Sequence, residues 1–130
     1  LEETDLIPFQ AGINAGAGAI MVSHTIVEAL DPELPASLSP AVVRYLRETM
    51  GFEGVIITDD LTMQAITDLY GAGDAAVMAV QAGSDLLCCS SFTEQYEAVL
   101  AAVLDGRISF DTLKNAVRNV LEWKLELGLI

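Results

Sequence analysis

Three short, almost unbroken apolar runs punctuate the chain, at residues 19–23, 55–58 and 85–90. Continuous rather than alternating apolar character predicts strands covered on both faces, as in a parallel sheet. The intervening segments repeat with helical spacing. Residues 5–15 predict a helix stopped at Gly16. Ser39-Pro40 predicts another start, with Ser at the cap and Pro in the first turn; Val42, Val43, Leu46 and Met50 follow at three- and four-residue steps until Gly51. Helices are expected over 74–82, ended by Gly83, and over 93–104, ended by Gly106. A last helix starts near Ser109, carries Leu113, Val117, Val120, Leu121 and Leu125 on one face, and stops at Gly128. A short helix is expected over 61–65. Helix and strand alternate from end to end, which predicts an α/β fold of parallel βα units joined by right-handed crossovers. With no linker and no low-complexity tract, residues 1–130 read as a single unit.

Three parallel strands leave two outer edges with unpaired backbone, an invitation to associate. The chain also opens on a helix with no strand before it. Both features fit part of a larger sheet, such as a TIM-like (β/α)8 barrel, a fold of about 250 residues and so roughly twice this length. The isolated chain is therefore expected to self-associate or to pair with a complementary half.

Composition narrows the partners. Six Lys and Arg stand against 19 Asp and Glu, a formal net charge of −13. The six basic residues, Arg44, Arg47, Arg107, Lys114, Arg118 and Lys124, are scattered. That balance excludes nucleic acid as a natural partner, which calls for a basic face. No apolar stretch reaches the roughly 18 residues of a membrane span; the best candidate, residues 15–22, is broken by Gly16 and Gly18. The chain carries no signal-peptide pattern and begins at Leu1 without Met, so its compartment is left open. Cys88 and Cys89 are neighbours in an apolar run; on a strand they would face opposite ways, which reads as a reduced core pair. One His and no CxxC spacing give no metal site, and no cofactor is implied.

In parallel α/β folds the chemistry sits at the carboxyl ends of the strands. Those ends read Ser23-His24-Thr25, Thr58-Asp59-Asp60 and Ser90-Ser91. Asp59 and Asp60 carry most of the signal, because two carboxylates appear where burial of the strand should end. Asp60 also suits a cap on the short helix that follows, a role that does not need Asp59. An acid at a barrel mouth serves as a nucleophile, as a stabiliser of a cationic transition state or as a ligand for a divalent metal. His24 reads as either a hydrogen-bonded structural residue or a site residue. No Ser-His-Asp set occurs in strand-end order. Gly16-Ala17-Gly18 precedes a strand and is no dinucleotide fingerprint. Gly71-Ala72-Gly73 lacks a nearby Lys and reads as a turn. Met21 and Met63 read as packing residues.

The segment Gly51-Phe52-Glu53-Gly54-Val55-Ile56-Ile57-Thr58-Asp59-Asp60-Leu61-Thr62-Met63 resembles the nucleophile segment of glycoside hydrolase family 3, in its β-N-acetylhexosaminidase branch. Ala19-Ile20-Met21-Val22-Ser23-His24 resembles the preceding strand of that branch, and Leu34-Pro35-Ala36-Ser37-Leu38-Ser39 the connection after it. Asp5-Leu6-Ile7-Pro8-Phe9 is similar to the helix before that strand. Ala82-Gly83-Ser84-Asp85-Leu86-Leu87 resembles the final barrel strand, and Trp123-Lys124-Leu125-Glu126-Leu127-Gly128-Leu129 the closing helix.

The resemblance implies a retaining glycosidase acting on terminal β-N-acetylglucosaminides. Asp59 matches the nucleophile that forms a covalent glycosyl-enzyme, with Asp60 in support. Met21 and His24 match positions lining the sugar subsite, and Met63 lies close by. The departure is equally specific. In that branch the general acid/base is a His in the first half of the barrel, and the one His here matches a different position. The chain thus looks like the catalytic domain without its first half, weak or inactive on natural glycosides. Two other readings stay open: a non-catalytic half-barrel that binds sugar or assembles through its edges, and a Mg²⁺-binding receiver-like domain. The last lacks the Lys that such domains place at a strand end.

Overall fold

Two of the three apolar runs form strands where the sequence places them. In the structure, a computed structural model describing residues 4–130, β1 (Ala19–Val22) and β2 (Val55–Thr58) pair in parallel. Residues 1–3 of the unit expected over 1–130 lie outside the described residues. The register is Ala19 to Val55, Ile20 to Ile56, Met21 to Ile57 and Val22 to Thr58.

The third expected strand is a correction. Residues 85–90 run alongside β2 but reduce to a single parallel bridge, Ile57 to Leu86. Side chains explain the shortfall. The Asp85 carboxylate takes the Ile56 N–H at 2.9 Å, and the Thr58 hydroxyl takes the Cys88 N–H at 3.1 Å. Backbone bonds survive between these, from Thr58 N–H to Leu86 O, and beyond them, from Leu61 N–H to Cys88 O. The segment is a third staved position without a full ladder. The cysteines in it are both free, but Cys88 is exposed and Cys89 half-buried, so they are not a core pair.

The helices follow the apolar spacing closely. They are α1 (Ile7–Asn14), α2 (Pro40–Arg44), α3 (Gln64–Thr67), α4 (Ala72–Ala82), α5 (Phe92–Leu104) and α6 (Phe110–Glu126). Ser39 caps α2 as expected, its hydroxyl accepting from the Val42 N–H at 3.2 Å. A π-helical stretch, Tyr45–Thr49, continues α2, and the whole predicted stripe of Val42, Val43, Leu46 and Met50 is buried. Gly83 ends α4 with φ at +107°, a left-handed conformation costly for any residue with a Cβ. The short helix expected over 61–65 starts later, at Gln64 with Met63 at its cap position, so Asp60 does not cap it.

The core lies on one face of the sheet. Ile20, Val22 and Ile56 pack against Val42, Val43, Leu46, Met50 and Phe52. A second cluster joins Leu38, Leu61 and Ile66 to the small face of α4 at Ala75, Ala76 and Ala79. A third joins Val77 and Val80 to Ala102 and Ile108. Strands covered on both faces were expected; the structure covers one throughout and the other only at its amino end, where Val55 is buried. Met21, on the other face, is 61% exposed. The apolar stripe of α6 is likewise open, with Val117, Leu121 and Leu125 all exposed. Among the described residues no helix is long and apolar enough to cross a membrane.

Candidate active site

The carboxyl ends of the strands converge on one hydrogen-bonded array. Pairing with β1 continues one residue beyond β2, because the Asp59 N–H donates to Val22 O at 2.9 Å. Side chains alternate along such a segment, so Asp59 shares a face with Ile57 and Met21, the uncovered one. Asp59 Oδ1 accepts from the Asp60 N–H at 2.8 Å. Its second oxygen has no hydrogen-bond partner among the described residues.

Asp60 is committed to structure. Its Oδ1 accepts from the Thr62 N–H at 2.9 Å and the Thr62 hydroxyl at 2.8 Å, a local Asx turn. The Ser90 hydroxyl donates to its Oδ2. Ser90 first, then Thr62, stabilise the charged form and hold this carboxyl down to about 2. Asp60 therefore fastens the turn after β2 to the end of the third segment.

His24 fastens the same turn to the end of β1. Its Nε2 meets the Asp60 carbonyl at 2.8 Å and its Nδ1 meets the Ser37 hydroxyl at 2.7 Å. Ser37 is fully buried in the 3-10 turn Ala36–Leu38, and its N–H donates to Ser23 O at 3.1 Å. The Asp60 carbonyl also accepts from the Met63 N–H at 3.0 Å. Of the five residues singled out in the sequence, Asp59, Asp60, His24 and Met63 thus share this bonded turn. Met21 lies one layer below it on the open face, and the Met21 and Met63 side chains are both exposed.

Sequence reasoning missed Ser37, and it missed a polar cluster at the opposite end of the strands. Arg47 NH2 pairs with Asp85 Oδ2 at 2.6 Å, and Asn119 donates to Asp85 Oδ1 at 2.8 Å. The Asp85 side chain is 4% exposed and that of Arg47 25%. Arg47 also donates to the carbonyls of Phe52 and Gly54, so one guanidinium joins the π-helical stretch to the start of β2. The available signal was an Arg interrupting an apolar helical stripe. Near the site, burial, then Cys88 and Asp60, push the Cys89 thiol above its ordinary value. Among the described residues no three His, Cys, Asp or Glu side chains gather to hold a metal ion.

Comparison with known proteins bears on this geometry. The sequence profile described as the Glycosyl hydrolase family 3 N terminal domain matches residues 1–123. A beta-hexosaminidase of Stenotrophomonas maltophilia (strain K279a) is 41% identical over 126 residues, covering 95% of this chain and 37% of that protein. One from Thioalkalivibrio sulfidiphilus is 39% identical over 103 residues, covering 78% of this chain and 29% of that one. A solved family 3 beta-N-acetylglucosaminidase from Paenibacillus sp. str. FPU-7 superposes with a TM-score of 0.86 at 40% identity, over 92% of this chain and 24% of that structure. The chain spans about a third of the length of the curated relatives it matches.

Proposed function

The chain belongs to glycoside hydrolase family 3, and from that premise we propose that it is part of a retaining glycosidase whose nucleophile is Asp59. The single observation that carries this reading is the state of the Asp59 carboxylate. It stands where strand pairing ends, on the open face beside Met21, with one oxygen held by the Asp60 N–H and the other without a partner among the described residues. A carboxylate held at one oxygen and open at the other is oriented for attack.

The substrates are terminal β-N-acetylglucosaminides, a class supported by similarity to a beta-hexosaminidase and to a beta-N-acetylglucosaminidase. In the first step Asp59 bonds to the anomeric carbon while the bond to the leaving oxygen breaks. In the second, water displaces the carboxylate and configuration is retained. Asp60 supports the turn, and Met21, Met63 and the ring of His24 border the sugar. Departure of an alkoxide leaving group requires a proton. The one His is occupied by Ser37 and Asp60, and the family resemblance implies an acid supplied from the first half of the barrel. General acid assistance is worth about 10²–10⁴-fold, so this chain alone is weak or inactive on natural glycosides. The open face at Met21, the incomplete third stave and the bare stripe of α6 fit the C-terminal part of a (β/α)8 barrel that pairs with its complement or with itself.

An activated fluorosugar analogue of N-acetylglucosamine tests the assignment, because fluorine slows both steps while a good leaving group restores the first. The expected result is a glycosyl adduct on the peptide carrying Asp59, absent from Asp59→Ala. An adduct on another carboxylate, or none, refutes it.

A further inference from the structure

We propose that His24 is a positioning residue for Asp59: an imidazole carrying a proton on Nε2 that holds the Asp59-Asp60 turn so that one Asp59 oxygen stays open. The proposal rests on the reading of Asp59 as nucleophile. A backbone carbonyl only accepts hydrogen bonds, so the 2.8 Å contact with Asp60 O puts the proton on Nε2. With the proton on Nε2, Nδ1 is free to accept, and the Ser37 hydroxyl at 2.7 Å is placed to donate to it. Both ring nitrogens are thereby consumed inside the protein, and a sugar meets only the carbon edge or face of the ring.

The strut is anchored at a rigid end. Ser37 is fully buried and its backbone is tied to Ser23, while Ala36 N–H donates to Thr25 O at 2.9 Å. At its other end the ring grips residue 60, whose carboxylate is already taken by Thr62 and Ser90. Residue 60 is thus gripped at its carbonyl and its carboxylate, and its N–H donates to Asp59 Oδ1 at 2.8 Å. That bond selects which oxygen of Asp59 is restrained. Loss of the strut lets the turn rotate, and misplacement of a reacting group by about 1 Å costs about 10²-fold.

Ring nitrogen NMR of the full 130-residue chain, labelled with ¹⁵N, tests the bonding without relying on activity. The expected spectrum shows a protonated, slowly exchanging Nε2 and an unprotonated Nδ1 whose signal moves in Ser37→Ala. In His24→Ala the backbone amide signal of Asp60 shifts; in His24→Gln, whose side-chain amide reaches the Nε2 position, it returns toward wild type. Turnover of an aryl N-acetyl-β-glucosaminide then falls about 10²-fold in kcat in His24→Ala, with KM little changed and kcat partly recovered in His24→Gln. A proton on Nδ1, or an unmoved Asp60 amide in folded His24→Ala, overturns the proposal. Should His24→Ala not fold, the wild-type ring and Ser37→Ala decide, and an unmoved Nδ1 signal overturns it. Expected ring and amide signals in a chain without turnover support the strut and refute the nucleophile reading instead.

Discussion

Asp59 and Asp60 are adjacent acids with opposite fates, and their partners decide which does what. Asp59 keeps an unbonded oxygen, whereas Asp60 spends both oxygens on Thr62 and Ser90. Because the Asp60 carboxyl sits near 2 in the folded chain and near 4 when unfolded, its charge favours folding. That contribution is full above about pH 4 and disappears as pH falls through about 2. Thermal melts of wild type and Asp60→Asn should therefore differ most near neutrality and converge toward pH 2; a gap independent of pH would contradict the assignment. The pair itself was legible, since two carboxylates follow Val55-Ile56-Ile57-Thr58 at once. The partners were not. Ser90 lies thirty residues away, and only the folded chain shows that Asp60 makes an Asx turn rather than a helix cap.

Among the elements, helix boundaries were legible because they depend on local chemistry. Ser39 caps α2 and Gly83 ends α4 through their own backbone neighbourhoods. The third strand was not, because its identity depends on what pairs with it. An apolar run at 85–90 looks like a buried strand, but the Asp85 carboxylate occupies a ladder position. Close packing of α4 on α5 was also hidden in Gly71-Ala72-Gly73, read as a turn. A Cβ at Gly73 would lie 2.9 Å from Ala98 Cβ. Gly73→Ala should gain about 1 kcal/mol of helix propensity yet lose about 1–3 kcal/mol to overpacking, and the clash is between two rigid methyl groups. We expect net destabilisation in urea unfolding. A stabilised variant would show that the two helices separate easily.

On the scale of the whole molecule, the order of elements and the parallel pairing were readable from periodicity, and the open surfaces from the count of strands. The fastening was not. Arg47 and Asp85 are 38 residues apart, and their pairing joins the π-helical stretch, β2, the third segment and α6 at the amino ends of the strands. One end of the sheet is thus held by an ion pair and the other by the His24–Asp60 array. Between them lie the uncovered sheet face at Met21 and the bare stripe of α6. Such surfaces predict association: sedimentation should give a mass that rises with concentration, and a sharp monomer with a cooperative melt would contradict this. The central claim is narrower, that Asp59 is the nucleophile of a family 3 site, and release of an aryl alcohol from an aryl N-acetyl-β-glucosaminide tests it most directly. An activated leaving group needs little acid assistance, so the assay tolerates a missing general acid. The account predicts slow release by this chain and none by Asp59→Ala; release that persists in Asp59→Ala would contradict it.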